Sequence, residues 1–248
     1  MREDYYNLYY QIERHHWWFN VRNKIIFDLI RKQTSEKNLK ILNVGVATGH
    51  TSELLSEFGE VTSVEYDKQC YEYLKTFLKG EIINASITSL PFNDNTFDLV
   101  CAFDVIEHVK EDQSGVNELG RVCKKNGIIF ITVPAHNFLW SEHDVINHHI
   151  KRYTEKEVLQ LFSKYTTIYS SYFNFFLFPP IALFRILKTL IFGLPAAETA
   201  TSDFESIKPT VATKIFKAIF SMENWFIKMG VSFPTGVSFL LILRKTKD

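Results

Sequence analysis

Between residues 40 and 133 the chain repeats one pattern: a short apolar run, a turn, then a stretch with helical spacing. Lys40-Ile41-Leu42-Asn43-Val44 precedes helical spacing from Thr51 to Phe58, and Val61-Thr62-Ser63-Val64-Glu65 precedes helical spacing over 68–79. Ile82-Ile83 opens a short third run. Phe97 to Phe103 is a fourth, ahead of helical residues 112–124, and Ile128 to Val133 is a fifth, entered through Gly127. Near-continuous apolar runs of this length belong to strands buried on both faces. Strands that alternate with helices build a parallel sheet with helices packed on either side. The remaining chain must dress such a sheet. Ile25, Ile26, Leu29 and Ile30 recur at helical spacing, so residues 1–39 predict an N-terminal helical cap. Thr154 and Glu157 form a capping box that opens a helix through Phe162. Thr166–Phe173 and Ser238–Leu243 read as a sixth and a seventh strand.

Composition removes several classes of function. The 248 residues carry 28 Lys+Arg against 28 Asp+Glu, and this neutral balance disfavours a dedicated nucleic-acid binder. Cys70, Cys101 and Cys123 are widely spaced and form no CxxC, which argues against a disulfide framework or a cysteine zinc site and fits a reducing, cytoplasmic setting. Met1-Arg2-Glu3-Asp4-Tyr5 does not read as a secretory signal. The nearest approach to a membrane span, Phe173 to Leu194, is interrupted by Asn174, Pro179, Pro180, Arg185 and Lys188. Aromatic side chains make up 15% of the chain, and many fall outside the predicted sheet.

The chemistry centres on the first strand-to-helix turn, Asn43-Val44-Gly45-Val46-Ala47-Thr48-Gly49. Two glycines four residues apart with Ala between them permit a tight turn and close approach of backbone to a ligand. Open α/β sheets bind ligands beyond the carboxyl ends of their strands. Glu65 ends the second strand, where a carboxylate can accept both hydroxyls of a ribose. Together with Leu90-Pro91-Phe92, Phe97-Asp98-Leu99-Val100, the stretch Arg121 to Gly127 and Ile131-Thr132-Val133-Pro134, these residues resemble the class I S-adenosylmethionine-dependent methyltransferases. The likeness covers roughly residues 38–173 and the last strand.

That resemblance implies a doubly wound, Rossmann-like α/β sheet of seven strands, the last antiparallel. The core would occupy 40–173 and 237–248, with a helical cap at 1–39 and an aromatic-rich helical insertion at 174–236. It implies S-adenosyl-L-methionine as cofactor, held by Asn43, Gly45, Ala47, Gly49, Glu65, Asp104 and, at the adenine, Ser86 and Ile87. Asn43 stands where the family usually has an acid, Ala47 where it has a glycine, and the Ser86–Ile87 pair where it often has Asp. A degenerate, non-catalytic binding protein on the same fold is the alternative reading.

On the acceptor side, Asp104 directly follows the fourth strand. Asp104, Glu107 and His108 stand at i, i+3 and i+4. This spacing resembles the metal-binding turn of the ubiquinone-pathway O-methyltransferases, but a bracing role for the pair is preferred and no metal is assigned. His136, Trp140, His143, Asp144, His148, His149, Arg152 and Tyr153 cluster after the fifth strand, on the carboxyl side of the sheet. Acceptor binding or proton transfer by His143 or His148 weighs evenly there against a loop that braces itself. Asp104, His143 and His148 are the catalytic candidates. His15-His16-Trp17-Trp18-Phe19 and the tyrosines before it read first as packing for the N-terminal helix, and second as a lid. The apolar run from Phe173 to Phe184 fits internal packing or a homodimer ahead of peripheral membrane contact. The expected activity is methyl transfer to a small-molecule or lipid-linked acceptor, at oxygen.

Overall fold

The computed structural model describes residues 3–34, 38–193 and 210–246. Seven strands form one sheet: β1 (Leu39–Val44), β2 (Gly59–Glu65), β3 (Glu81–Asn84), β4 (Phe97–Phe103), β5 (Cys123–Pro134), β6 (Thr166–Phe173) and β7 (Ser238–Arg244). Their order is β3-β2-β1-β4-β5-β7-β6. The first five pair in parallel, while β7 runs antiparallel between β5 and β6. This is the predicted seven-stranded doubly wound sheet, with its last strand reversed. Strand order changes direction between β1 and β4, so the crevice where such folds bind ligands opens beside those two strands.

The strands are apolar on both faces because helices cover both. Ile41, Leu42, Val100, Phe130 and Leu241 are fully buried. The connecting helices are α3 (His50–Leu55), α4 (Lys68–Leu74), α5 (Asp112–Val122), α6 (Glu142–Ile146) and α7 (Glu155–Leu161), several of them shorter than the sequence pattern suggests. Strand β5 starts at Cys123, five residues before the predicted run, because β4 pairs with it as early as Phe97↔Cys123.

The N-terminal region is two helices, α1 (Glu3–His15) and α2 (Trp17–Gln33). His16 separates them in an extended conformation, and its Nδ1 accepts the Trp18 amide (3.3 Å), which caps α2. The insertion before β7 contributes α8 (Phe178–Phe192) and α9 (Val211–Lys228); its residues 194–209 lie outside the described ones. Pro179 and Pro180 sit in the first turn of α8, where a missing N–H costs nothing. Helix α9 packs on α2, with Trp18 stacked on Phe220 at 6.3 Å and Asn224 Nδ2 donating to Asp28 (2.8 Å).

Candidate active site

The turn after β1 is built for close approach. Gly45 and Gly49 have φ of 69° and 80°, the left-handed region, and a Cβ on Gly45 would meet Val105 Cγ2 at 2.6 Å. Ala47 also has positive φ, 48°. Its N–H donates to Glu65 Oε2 (3.1 Å), and the Asp67 N–H donates to Glu65 Oε1 (2.9 Å). Two backbone amides therefore aim the carboxylate at the turn. They leave it acceptor capacity, since a carboxylate offers about four lone-pair sites. Burial pushes the Glu65 carboxyl up, and those amide bonds oppose the push. This arrangement fits a ribose-bearing cofactor. Asn43 is buried, and its Nδ2 donates to Thr51 Oγ1 and Ser52 Oγ (both 2.9 Å), so it anchors α3 to the strand. Ser86 Oγ bonds Thr88 Oγ1 (2.8 Å), while Ile87 is buried against α5.

Helix α1 lies across this turn. Glu13 accepts a hydrogen bond from Thr48 Oγ1, Arg14 Nη2 pairs with Glu53 (2.7 Å), and the Tyr6 hydroxyl donates to Asp67 (3.1 Å). Tyr6 stacks on Tyr73 and Tyr10 meets Phe77 edge-on. Both readings of the N-terminal aromatics thus describe one object, since the packing of these rings is what covers the turn. Burial pushes the Glu13 carboxyl up to about 7, against the opposing Thr48 hydrogen bond and Arg14 charge. A raised carboxyl pKa stabilises the folded state when protonated, and that stability is lost as pH rises from about 4.5 to 7. Glu13→Gln should therefore match the parent in unfolding free energy near pH 4.5 and exceed it at pH 8, by up to about 3 kcal/mol, as read from denaturant titrations at the two pH values. A pH-independent difference would remove this account.

Beside the turn, a cavity of about 610 Å³ opens at the carboxyl ends of β4 and β5. Trp17, Trp18, Leu177, Ile181, Phe184 and Phe216 give it apolar walls. Its polar end holds Asp104, Glu107, His108, His143, His149 and Arg152. Asp104 follows β4 at φ 58° and is paired: Arg22 Nη2 lies 2.5 Å from Oδ2, and Thr132 Oγ1 donates to Oδ1 (3.0 Å). Glu107 is completely buried, and both its carboxyl oxygens lack a hydrogen-bond partner among the described residues. Burial, then the Asp104 charge, holds it well above the carboxylate range, which favours the neutral acid. Burial and the neighbouring His149 lower His108 to about 4, so it is neutral at pH 7.

Behind His149 and Arg152 in the cavity wall lies Asp144, 0% exposed. Arg152 grips it through Nε (2.8 Å) and Nη2 (3.0 Å), and the Ser141 N–H adds a third bond (2.8 Å). Burial alone would raise this carboxyl, but the His149 hydrogen bond and the Arg152 charge outweigh it and hold the group far below its usual range. An ionised carboxylate only accepts, so the contact to His149 Nδ1 (2.8 Å) places the imidazole proton on Nδ1. Nε2 is then the basic nitrogen. An Asp–His pair of this kind is one arrangement that can serve general-base catalysis.

Of the three catalytic candidates, Asp104 and His143 line the cavity, whereas His148 is exposed and does not. The sequence places His149 in the acceptor-side cluster but not among the catalytic candidates, because the chain turns back after α6 and His148 takes φ 56°. That reversal brings residue 149 onto Asp144, a relation that neither helical nor strand periodicity encodes. The predicted i, i+3, i+4 trio is also regrouped. Glu107, His108 and His149 bring ligand atoms within 4.8 Å of one another, the one such group among the described residues, while Asp104 turns to Arg22. Of the residues expected to hold the cofactor, Asp104 lines the cavity, whereas Asn43, Gly45, Ala47, Gly49, Glu65, Ser86 and Ile87 do not.

A family model described as a methyltransferase domain matches residues 42–131. A probable S-adenosylmethionine-dependent methyltransferase of Mycobacterium tuberculosis is 24% identical over 120 residues, 48% of this chain and 43% of that protein. A ubiquinone biosynthesis O-methyltransferase of Pelagibacter ubique is 25% identical over 118 residues, 45% of this chain and 49% of that one. The chain thus spans about half the length of the curated relatives it matches. An S-adenosylmethionine-dependent methyltransferase from Mesorhizobium loti shares the fold, with a TM-score of 0.57 at 12% identity over 87% of this chain and 95% of that one. The glycine turn and the carboxylate that closes β2 both lie within residues 42–131, the stretch that matches a methyltransferase domain.

Proposed function

We propose that this chain transfers a methyl group from S-adenosyl-L-methionine to a hydroxyl oxygen of a small-molecule or lipid-linked acceptor held in the 610 Å³ cavity. The observation that carries the reading is the Asp144–His149 pair, whose imidazole lines the polar end of a cavity with apolar side walls, beside the carboxyl ends of β4 and β5. The backbone at Gly45, Ala47 and Gly49 cradles the cofactor, with Glu65 on the ribose and the Ser86–Ile87 segment by the adenine. Asn43 sets the helix that closes the turn, and Asp104 faces both cofactor and acceptor. When bound, the cofactor supplies an electrophilic methyl group, and displacement at that carbon depends mainly on alignment. His149 Nε2 removes the acceptor proton, Asp144 holds the resulting imidazolium, and the apolar walls exclude water. His143, with its ring 6.0 Å from that of His149, borders the same position. The relative from Pelagibacter ubique, named for O-methylation, supports oxygen as the target.

Helix α1 must lift from the glycine turn as the cofactor enters. Calorimetric titration with S-adenosylhomocysteine, with Glu65→Ala as control and NAD as competitor, tests the cofactor half of this reading. Binding that is lost in the variant and unaffected by NAD is expected. No binding by the parent would end the enzyme reading and leave a binding role on the same fold.

A further inference from the structure

Helices α8 and α9 are apolar on faces that no described residue covers. Eighteen large apolar side chains are exposed among the described residues, and eleven of them lie here, six on α8 and five on α9. Leu190 and Val211 are each 76% exposed and Trp225 is 61% exposed. On α9, Val211, Ile215, Met222 and Trp225 form a stripe opposite the buried Phe220 and Ile227. A surface helix normally has one apolar face, so a second one needs a partner.

Charge selects the partner. The chain as a whole is neutral, but these two helices carry Arg185, Lys188, Lys214, Lys217 and Lys228 against one acid. That acid, Glu223, is completely buried and accepts the Phe176 N–H (3.0 Å). Lys188 pairs with Glu142 and Lys228 with Asp28, while Lys214 and Lys217 stand exposed, three residues apart. A symmetric dimer through this face would set its lysines against their own copies. An anionic lipid surface would instead meet them with opposite charge, take up the apolar stripe and seat Trp225 at the boundary between the two. The length of the helices fits contact without crossing, since no described helix is long and apolar enough to span a membrane.

The face also runs into the cavity. Phe184 and Phe216 are 64% and 42% exposed on the outside, yet both line the inner wall. We propose that α8 and α9 dock the protein on an anionic lipid surface, and that the acceptor enters the cavity from that surface between Phe184 and Phe216. The route of entry rests on the acceptor reading above, whereas the docking does not.

Vesicle co-sedimentation without cofactor separates the two. The full chain should sediment with mixed phosphatidylcholine–phosphatidylglycerol vesicles, bind pure phosphatidylcholine more weakly, and come off the mixed vesicles as salt rises. K214E combined with K217E should lower partition onto the mixed vesicles by about tenfold or more. L190D combined with I191D should weaken binding to both kinds of vesicle. All four positions are exposed, and unchanged thermal midpoints would confirm intact folding. Absence of vesicle binding by the parent, or equal binding by parent and variants, would overturn the docking. A parent dimer that L190D/I191D converts to monomers, with no vesicle binding, would reassign the face to a second copy. S-adenosylhomocysteine binding with no vesicle binding would leave the enzyme reading standing and remove only the docking.

Discussion

His149→Ala should lower methyl transfer by about a hundred- to ten-thousand-fold while S-adenosylhomocysteine binds as before. The asymmetry follows from position, because His149 lines the acceptor cavity while the glycine turn and Glu65 lie outside it. His143→Ala is the internal comparison: its ring also borders the cavity, yet the bond to the Asp144 carboxylate belongs to His149. Asp144→Asn should also slow turnover, since an amide can hold the imidazole in the wrong tautomer. Rates would be followed with a phenol or lipid-linked acceptor found by screening. Equal losses in the two histidine variants would remove the special role of His149, and a loss confined to His143→Ala would transfer that role.

A second large effect is expected in stability. Arg152→Met should cost about 3–5 kcal/mol, because it removes the guanidinium from a completely buried carboxylate and leaves it only the Ser141 N–H and His149. In a domain of this size each kcal/mol moves the midpoint by about 2–4 °C, so a fall of ten degrees or so should be visible in calorimetry. The sign of its pH dependence is fixed. The Asp144 pKa is depressed in the folded protein, so its contribution is present above the ordinary carboxylate pKa of about 4 and is lost as pH falls below it. The gap between parent and variant should therefore narrow in acid. Asp144→Asn placed on top of Arg152→Met should recover part of the loss, since the buried charge is then gone. If the double variant were less stable than the sum of its parts, the ion pair would not be the source.

The sheet could be read from the chain because its signals are local. Runs such as Ile128–Val133 are apolar without alternation, and only a strand covered on both faces tolerates that. The glycine turn and Glu65 were equally open to reading, since each sits where a strand ends. The acceptor side resisted for a physical reason: its geometry depends on chain reversals and on pairs far apart in sequence. Arg22 on α2 reaches Asp104, 82 residues away, and thereby turns a candidate base into half of an ion pair. His148 and His149 are neighbours in sequence, yet one is exposed and the other is hydrogen-bonded to a completely buried carboxylate. Periodicity sorts residues by face; it cannot say which of two adjacent side chains a non-helical loop will turn inward. The break at His16 was hidden in the same way, because both helices show helical spacing and only the backbone at the join departs from it.

That join has a thermodynamic consequence. Helix α1 covers the cofactor turn, and the first two residues of α2, Trp17 and Trp18, form part of the acceptor wall; a single residue separates the helices. If α1 lifts to admit the cofactor, as proposed above, the wall that Trp17 and Trp18 present to the acceptor is adjusted with it. Two sites that draw on one structural rearrangement share its free energy, and the coupling is reciprocal: whatever factor the first ligand applies to the affinity of the second, the second returns to the first.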